Sequence, residues 1–537
     1  MNQDDLFEKE EQLNNSQIDS LDNQNNEVLE NFEESNNDIK DCTYKKSDSI
    51  KTKEKSLGVN SLFYLIYVVF NMIYPLVTGI YVARILLPAD IGQIETARNL
   101  VSYFVILSFL GIPTYGLREI SKCRNNKDEL NKLYTELRII NNISTLFFSL
   151  IYISIVLIVP SYRSNIEFFL ISGISILLNL LNNSFLYEGL EEFSYISIRN
   201  IIVKTISFIL LIVFVRTSKD AFPYMFILVF GTAGNYLLNV INARKHVKLT
   251  FKNLNIRRHL KSIMFLVVVN LAIEIYALVD VTMLGFMTDN ESVAFYSYAM
   301  KIYRVLIQIL NCFTIVLVPR ISLYYKEGRK EEMNKLISKT FIIILLFSLP
   351  MVIGIYFTSD FLLSEIYGAA YIRSADVLKI LSIILMISPF GYLLGSRMLL
   401  ITGNESKMIF AVGAGAIVNV LSNLVLIYLY KEIGAAIASL FSEIIVMIIY
   451  VCMGRKYFKL NSVLKSIFKI IVSAMLVLLY CYFINKYINN SLKATILQVV
   501  GSVLIYFVSL IVLREIICIS FIKNLLKKVK KWEKSYH

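Results

Sequence analysis

Basic side chains interrupt several otherwise apolar stretches of this sequence, and their types suit the binding of an anion. Arg98 lies ten residues after Pro88, inside one such stretch. Lys301 and Arg304 lie at a similar depth in a later stretch, three residues apart on one helical face. Lys204 adds a cation in another stretch. These four residues are candidate ligands for an anionic headgroup such as a pyrophosphate. The alternative is that their long side chains extend to a membrane surface.

Acidic side chains also lie inside apolar stretches. Glu274 and Asp280 are six residues apart in one stretch and so on different helical faces, and Glu443 lies near the middle of another. A carboxylate in such a place can bind a proton or a sodium ion in one state and release it in another. We therefore interpret the three acids as candidates for ion coupling. The alternative is a structural ion pair with a nearby lysine or arginine.

The rest of the sequence offers no catalytic chemistry. It has no phosphate-binding Gly-x-x-x-x-Gly-Lys segment, and its six cysteines include no Cys-x-x-Cys pair. Its three histidines, His246, His259 and His537, fall in a predicted loop or at the end of the chain. We expect no catalytic residues, no metal site and no cofactor. A transporter is favoured over an enzyme.

The elements that must position these charges are membrane helices. The chain has 537 residues, of which 56% are hydrophobic and 18% charged, and its mean hydropathy is +0.59. The apolar residues come in blocks of about 20, long enough to cross a hydrocarbon core, and lipid forces such a block to be helical. We predict an all-α membrane protein with about fourteen spans. By residue number they are 60–83, 90–117, 138–159, 166–187, 196–215, 221–241, 263–287, 292–318, 338–358, 376–401, 408–430, 433–453, 465–484 and 493–516.

Lysine and arginine are concentrated in every second loop, which sets the predicted orientation. The loop after span 2 begins with Arg118 and Lys122, and the 242–262 loop carries seven basic residues. The 287–292 turn, which faces the other side, carries none. Basic loops stay in the cytoplasm, so both termini are predicted to be cytoplasmic. The net charge of +13 then reflects orientation and contact with anionic membrane lipids, and no nucleic-acid partner is expected.

A weak internal repeat divides the membrane part into two similar halves. A shift of 202 residues places Ala97 on Ala299 and Arg118 on Arg320. Two halves in the same orientation are typical of transporters that work by alternating access. We predict an N-lobe over 57–245 with spans 1–6, a C-lobe over 263–456 with spans 7–12, and two further spans over 465–521.

The two ends of the chain differ in composition from the membrane part. Residues 1–40 contain twelve Asp or Glu and two Lys. Such a segment buries too little apolar surface to order itself, so residues 1–55 are predicted to be a disordered cytoplasmic tail. Residues 522–537 are predicted to be a basic cytoplasmic tail.

Several segments, in order along the chain, resemble the O-antigen and capsule repeat-unit flippases (Wzx type). This family belongs to the MOP superfamily, which also holds MATE drug exporters and lipid II flippases. The resemblance extends over residues 57–520. Its segments are Ala83–Gly92, Gly116–Lys122, Tyr187–Asn200, Asp280–Gly285, Tyr296–Ile302 and Pro319–Ser322.

The resemblance implies two parallel six-helix lobes that form a V, followed by two C-terminal helices. It implies that the chain moves an undecaprenyl-pyrophosphate-linked oligosaccharide from the inner to the outer leaflet of a bacterial cytoplasmic membrane. The implied partners are the lipid-linked oligosaccharide, membrane lipids and a polysaccharide polymerase. Lys301 stands in a similar place to a basic residue of helix 8 in lipid II flippases.

Alternative transporters stay open at this point. A MATE-like drug or metabolite antiporter should have an acidic cavity for cationic substrates, and the cations here argue against it. Lipid II flippases carry basic residues in helix 1, whereas span 1 has none between Asn60 and Ala83. That difference favours a repeat-unit flippase.

Overall fold

The computed structural model describes residues 57–315, 317–399, 401–454, 463–488, 491–515, 517 and 519. The predictions for the two tails, 1–55 and 522–537, lie outside these residues. The regular elements of the described part are helical. The α-helices of six or more residues are, in chain order, α1 (Leu57–Ala83), α2 (Pro88–Phe109), α3 (Ile112–Cys123), α4 (Lys127–Ile158), α5 (Ile166–Leu178), α6 (Ser184–Gly189), α7 (Phe193–Phe214), α8 (Ala221–Ala243), α9 (Arg257–Met287), α10 (Asn290–Ile315), α11 (Val318–Lys326), α12 (Lys330–Tyr367), α13 (Arg373–Tyr392), α14 (Glu405–Gly454), α15 (Leu464–Tyr487) and α16 (Leu492–Val512).

Within these residues, eleven helical segments are long and apolar enough to cross a membrane. This confirms an all-helical, multi-pass membrane protein. The count of fourteen stays a prediction. One of the eleven segments, Lys407–Gly454, contains non-helical backbone at Lys431 (φ 49°, ψ −126°), where two predicted spans meet. Ile166–Leu181 is a shorter apolar helix.

Two predicted spans are broken helices. Span 2 was predicted to be continuous over 90–117, but α2 ends at Phe109 and α3 begins at Ile112. Leu110 and Gly111 between them both have left-handed backbone (φ 49° and 71°), which cannot continue a right-handed helix. Span 4 is interrupted by a 3-10 turn at Asn179–Leu181 and by extended backbone at Asn182.

Helices extend past the apolar blocks, so some predicted loops are much shorter. The predicted basic loop after span 2 is helical for most of its length. Arg118 and Lys122 lie in α3, and α4 begins at Lys127, which leaves only residues 124–126 as a turn. The hydrophobic pattern marks the part of a helix that contacts lipid, whereas polar turns at its ends can remain helical in water.

The halves predicted from the repeat contact each other along α2 and α10, the second helix of each half. Gly92 of α2 lies so close to the Asn290 carbonyl oxygen that an added Cβ would be 1.6 Å from it. Glycine is therefore required for this approach of the two backbones. We call the end of the bundle that contains residues 84–87 the distal end, and the end that contains residues 244–256 the linker end.

The linker between the halves is tied to α4. The backbone N–H of Lys248 donates to Asn131 Oδ1 (2.7 Å), and that of Thr250 donates to Thr135 Oγ1 (3.1 Å). Glu136, which is fully buried, accepts from the backbone N–H of Asn255 (2.5 Å). The linker is thus fixed along one side of α4 by its backbone.

A buried histidine extends this attachment into α9. His259 was predicted to lie in a loop, but it lies in the first turn of α9 and is 2% exposed. Its Nε2 is 2.8 Å from Glu136 Oε2 and its Nδ1 is 2.7 Å from the Tyr115 hydroxyl. Arg258 Nη2 also donates to Glu136 (2.6 Å). The start of α9 is therefore held against α3 and α4.

Candidate functional site

A cluster of three charged side chains lies between α2 and α10. Glu95 and Arg98 are three residues apart on α2, and Lys301 faces them from α10. Lys301 Nζ is 2.8 Å from Glu95 Oε1, and Arg98 Nη1 is 3.2 Å from Glu95 Oε2. Two cations and one carboxylate leave a net charge of +1. We call these three residues the charged cluster.

The surroundings of Lys301 leave its amine close to an aromatic face. Lys301 Nζ is 3.9 Å from the centre of the Tyr298 ring, within the range of a cation–π contact. Gly79 of α1 lies beside both side chains, since a Cβ at that position would be 3.7 Å from the Tyr298 ring and 3.8 Å from Lys301 Cδ, which are ordinary packing distances. The Lys301 side chain is 17% exposed and that of Arg98 39% exposed, so Arg98 is the more accessible cation.

The structure thus brings together Arg98 and Lys301, which the sequence proposed as ligands from opposite halves. It also adds Glu95, which the sequence reasoning missed. Glu95 lies within the same apolar stretch as Arg98, so the search for intramembrane charges could have found it. Arg304 is exposed and has no ion pair among the described residues.

Lys204 lies apart from the charged cluster. It projects from α7 towards α1, where its amine donates to Asn71 Oδ1 and lies 4.9 Å from the centre of the Tyr74 ring. The Tyr74 hydroxyl in turn donates to Ser207 Oγ (2.8 Å). Lys204 therefore links the first and fifth predicted spans, next to the side of α1 that faces α7.

The candidate acid Asp280 accepts hydrogen bonds from four neutral donors. They are the hydroxyls of Tyr296 (2.6 Å) and Ser439 (2.5 Å) and the amides of Asn419 (3.0 Å) and Asn423 (2.7 Å). Asp280 is 6% exposed. No lysine or arginine of the described part forms an ion pair with it. The alternative of a structural ion pair therefore does not apply to Asp280 in this conformation.

The other two acids occupy different positions. Glu443 accepts a hydrogen bond from the Tyr276 hydroxyl (3.1 Å), and Ser442 donates to the same hydroxyl (3.0 Å). Tyr276 is one helical turn before Asp280 on α9, so the two carboxylates lie at successive levels between α9 and α14. Glu274 lines a separate groove at the break between α2 and α3, beside Asn270 and Pro113.

The all-helical fold and the charges inside its bundle define a polytopic transporter, and comparisons with known proteins agree. A solved lipid II flippase MurJ in an inward closed conformation has a TM-score of 0.70 at 15% identity, covering 84% of this chain and 99% of that chain. A MATE-family multidrug transporter of the MOP superfamily in an inward-facing conformation has a TM-score of 0.57 at 15% identity, covering 73% and 97%. At this identity the likeness establishes the fold.

The chain belongs to the family described as polysaccharide biosynthesis protein, whose model matches residues 57–325. A second family model, described as lipid II flippase MurJ, matches residues 202–526. A protein of Escherichia coli (strain K12) named "Putative O-antigen transporter" is 25% identical over 408 residues, which cover 74% of this chain and 96% of that protein. A protein of Shigella dysenteriae with the same name is 26% identical over 387 residues, which cover 70% and 95%.

Proposed function

We propose that this protein flips an undecaprenyl-pyrophosphate-linked oligosaccharide from the inner to the outer leaflet of the bacterial cytoplasmic membrane. The observation that carries the proposal is the charged cluster, which places a net positive charge where α2 and α10 meet. A diphosphate offers several oxygens to Arg98 and Lys301, and each charge-assisted hydrogen bond contributes about 1.5–3 kcal/mol. The family membership supports a lipid-linked glycan as the substrate.

In this proposal Glu95 holds the cations until the substrate arrives. The diphosphate carries more negative charge than one carboxylate and displaces it from Arg98 and Lys301. When the substrate leaves, Glu95 pairs with both cations again. The contact between α2 and α10 then closes with both cations again in contact with a carboxylate, which lowers the cost of holding them in a half-buried site. Exchange between carboxylate and phosphate thus connects substrate binding to movement of the two halves.

We propose Asp280 as the coupling residue, with a proton or a sodium ion as its ligand. A cation could replace hydrogen-bond donors around the carboxylate, and within the described part of the chain the carbonyl oxygen of the Asn423 side chain is buried without a partner. Glu443 and Glu274 stay candidates for the same role. In this proposal both termini and the linker end face the cytoplasm, and a polysaccharide polymerase uses the flipped product.

The charge of the site favours this substrate over the alternatives. A MATE-like antiporter for cationic drugs would gain nothing from a net positive cluster. A lipid II substrate shares the diphosphate, but the basic residues that the resemblance leads us to expect on the first helix are absent from α1 after Asn60.

The test is genetic and chemical. Deletion of the gene should cause lipid-linked repeat units to accumulate in the cytoplasmic leaflet, and the wild-type gene should reverse this. A gene that carries Arg163→Gln should also reverse the accumulation. Arg163 is a control for the cations of the charged cluster, because it is exposed and lies far from them along the chain. A deletion strain with normal surface polysaccharide and no accumulated glycolipid would refute the proposed function.

A further inference from the structure

Three tyrosines form a fully buried group at the distal end of the bundle. Tyr298 is on α10, Tyr367 is the last residue of α12, and Tyr371 ends the 3-10 turn that follows it. Each is 0% exposed. The ring centres of Tyr298 and Tyr367 are 4.7 Å apart, and those of Tyr298 and Tyr371 are 4.8 Å apart. We call these residues the tyrosine group.

None of the three hydroxyls of the tyrosine group has a hydrogen-bond partner among the residues that the structure describes. A buried hydroxyl without a partner destabilises the conformation that contains it, whereas phenylalanine would fill the same space without that cost. The contrast with Tyr152 is direct, because its buried hydroxyl donates to the Phe169 carbonyl (2.6 Å). Three unused hydroxyls in one place indicate a surface that finds its partners in another conformation.

The tyrosine group lies between the charged cluster and the distal surface. On one side, the Tyr298 ring contacts the Lys301 amine. On the other side, Tyr367 lines a groove of about 470 Å³ between residues 83–88 and residues 364–370. The two walls of this groove are joined by Arg84, whose guanidinium donates to the carbonyl oxygens of Glu365 and Ile366. Arg84 therefore holds together the two walls of the groove beside Tyr367.

We propose that the tyrosine group receives the carbohydrate part of the substrate when the distal end opens. This inference rests on the proposed function, which places a diphosphate at the neighbouring charged cluster. Sugars present apolar C–H faces that pack on aromatic rings and hydroxyls that exchange hydrogen bonds with phenols. The diphosphate at Lys301 would then be followed by the first sugars at the tyrosine group, which is the order of these parts in the substrate.

The first measurement separates this role from packing. Purified full-length protein in detergent is compared with Tyr371→Phe and with the triple variant Tyr298→Phe, Tyr367→Phe, Tyr371→Phe. Without ligand, both variants should have a Tm no lower than wild type, because only unpartnered hydroxyls are removed. The matched control Tyr152→Phe loses a bonded hydroxyl and should have a Tm lower by about 1–2 °C.

The second measurement uses two probes that share a diphosphate. One is farnesyl diphosphate, which has no sugar, and the other is the lipid-linked glycan pool extracted from the deletion strain. The triple variant should bind farnesyl diphosphate as wild type does and bind the glycan pool at least tenfold more weakly. Tyr371→Phe should show a smaller loss of the same kind, and Tyr152→Phe should bind both probes normally.

The possible results differ in what they overturn. If the triple variant binds the glycan pool as tightly as wild type, the tyrosine group has no part in carbohydrate binding. If its Tm falls and both probes bind more weakly, the hydroxyls are structural, and the inference is again wrong. If wild-type protein fails to bind farnesyl diphosphate, the proposed function itself fails, and the inference fails with it.

Discussion

Replacing Glu95 with glutamine keeps the size of the side chain and removes the charge that holds Arg98 and Lys301. Loss of one partner from a fully buried ion pair costs about 3–5 kcal/mol. Glu95 and Lys301 are 14% and 17% exposed and Arg98 is 39% exposed, so solvent screens the loss. We expect a destabilisation of about 1–3 kcal/mol for the conformation described here.

The same change should strengthen anion binding, since Glu95 no longer competes with the ligand. Removing a competition worth about 1.4 kcal/mol increases the affinity tenfold. Glu95→Gln should therefore bind farnesyl diphosphate about tenfold more tightly than wild type, and the gain should shrink as salt is added. Export should nevertheless fall, because the cations have no carboxylate to return to when the substrate leaves.

Titration of farnesyl diphosphate into purified protein in nanodiscs, at low and at high salt, measures this effect. Glu167→Gln is the matched control, since Glu167 is exposed and lies outside the charged cluster. A Glu95→Gln protein that is less stable yet binds the probe no more tightly would show that Glu95 is only structural. The exchange between carboxylate and phosphate would then be refuted.

Four further outcomes are expected. Arg98→Ala and Lys301→Ala should each slow export at least tenfold while the protein still accumulates, and Lys301→Arg should retain most activity. If both alanine variants export at the wild-type rate, the hypothesis of a cationic binding site is refuted. Asp280→Asn should abolish any dependence of export on the proton or sodium gradient, measured with an ionophore for each ion, and an unchanged gradient dependence would assign coupling elsewhere. Reporter fusions at Lys252 should lie in the cytoplasm, and an external signal would reverse the orientation. Burial lowers the pKa of His259, so the folded state resists protonation of this side chain, and stability is lost as pH falls below about 6.5. The Tm of the purified protein should therefore drop between pH 7.5 and 5.5. The variant His259→Asn should show a smaller drop.

The sequence predicts the fold class and the two basic members of the charged cluster for the same physical reason. A charge inside an apolar block is costly, so Arg98 and Lys301 are conspicuous against their neighbours. Glu95 obeys the same rule. Its place three residues before Arg98, on the same helical face, could have identified it as the partner of that cation.

The partners of Asp280 could not be predicted in this way. Asn419, Asn423 and Ser439 are neutral, and they follow Asp280 by 139 to 159 positions in the chain. Their contact depends on how α14 turns back at Lys431, and Lys431 has positive φ although it is not glycine. Polar uncharged residues are common in membrane helices, so nothing in the pattern distinguishes these three.

The hydrophobicity pattern does not predict the helix breaks either. Leu110 and Gly111 lie in the middle of an apolar block, and only the glycine hints at left-handed backbone. Conversely, α4 begins eleven residues before the predicted span, because polar residues from Lys127 onwards form helix without contributing to hydropathy.

The attachment of the linker to α4 determines the kind of motion the two halves can make. Since the backbone of the linker and the first turn of α9 are both attached to α4, we expect the halves to stay joined at this point and to turn about it when either end of the bundle opens. A helix of 31 residues, as α9 is, measures roughly 46 Å from end to end. As a lever of that length, α9 turning by about 10° would move its far end by about 8 Å. A small rotation of α9 near His259 would thus move its opposite end far enough to admit a sugar ring.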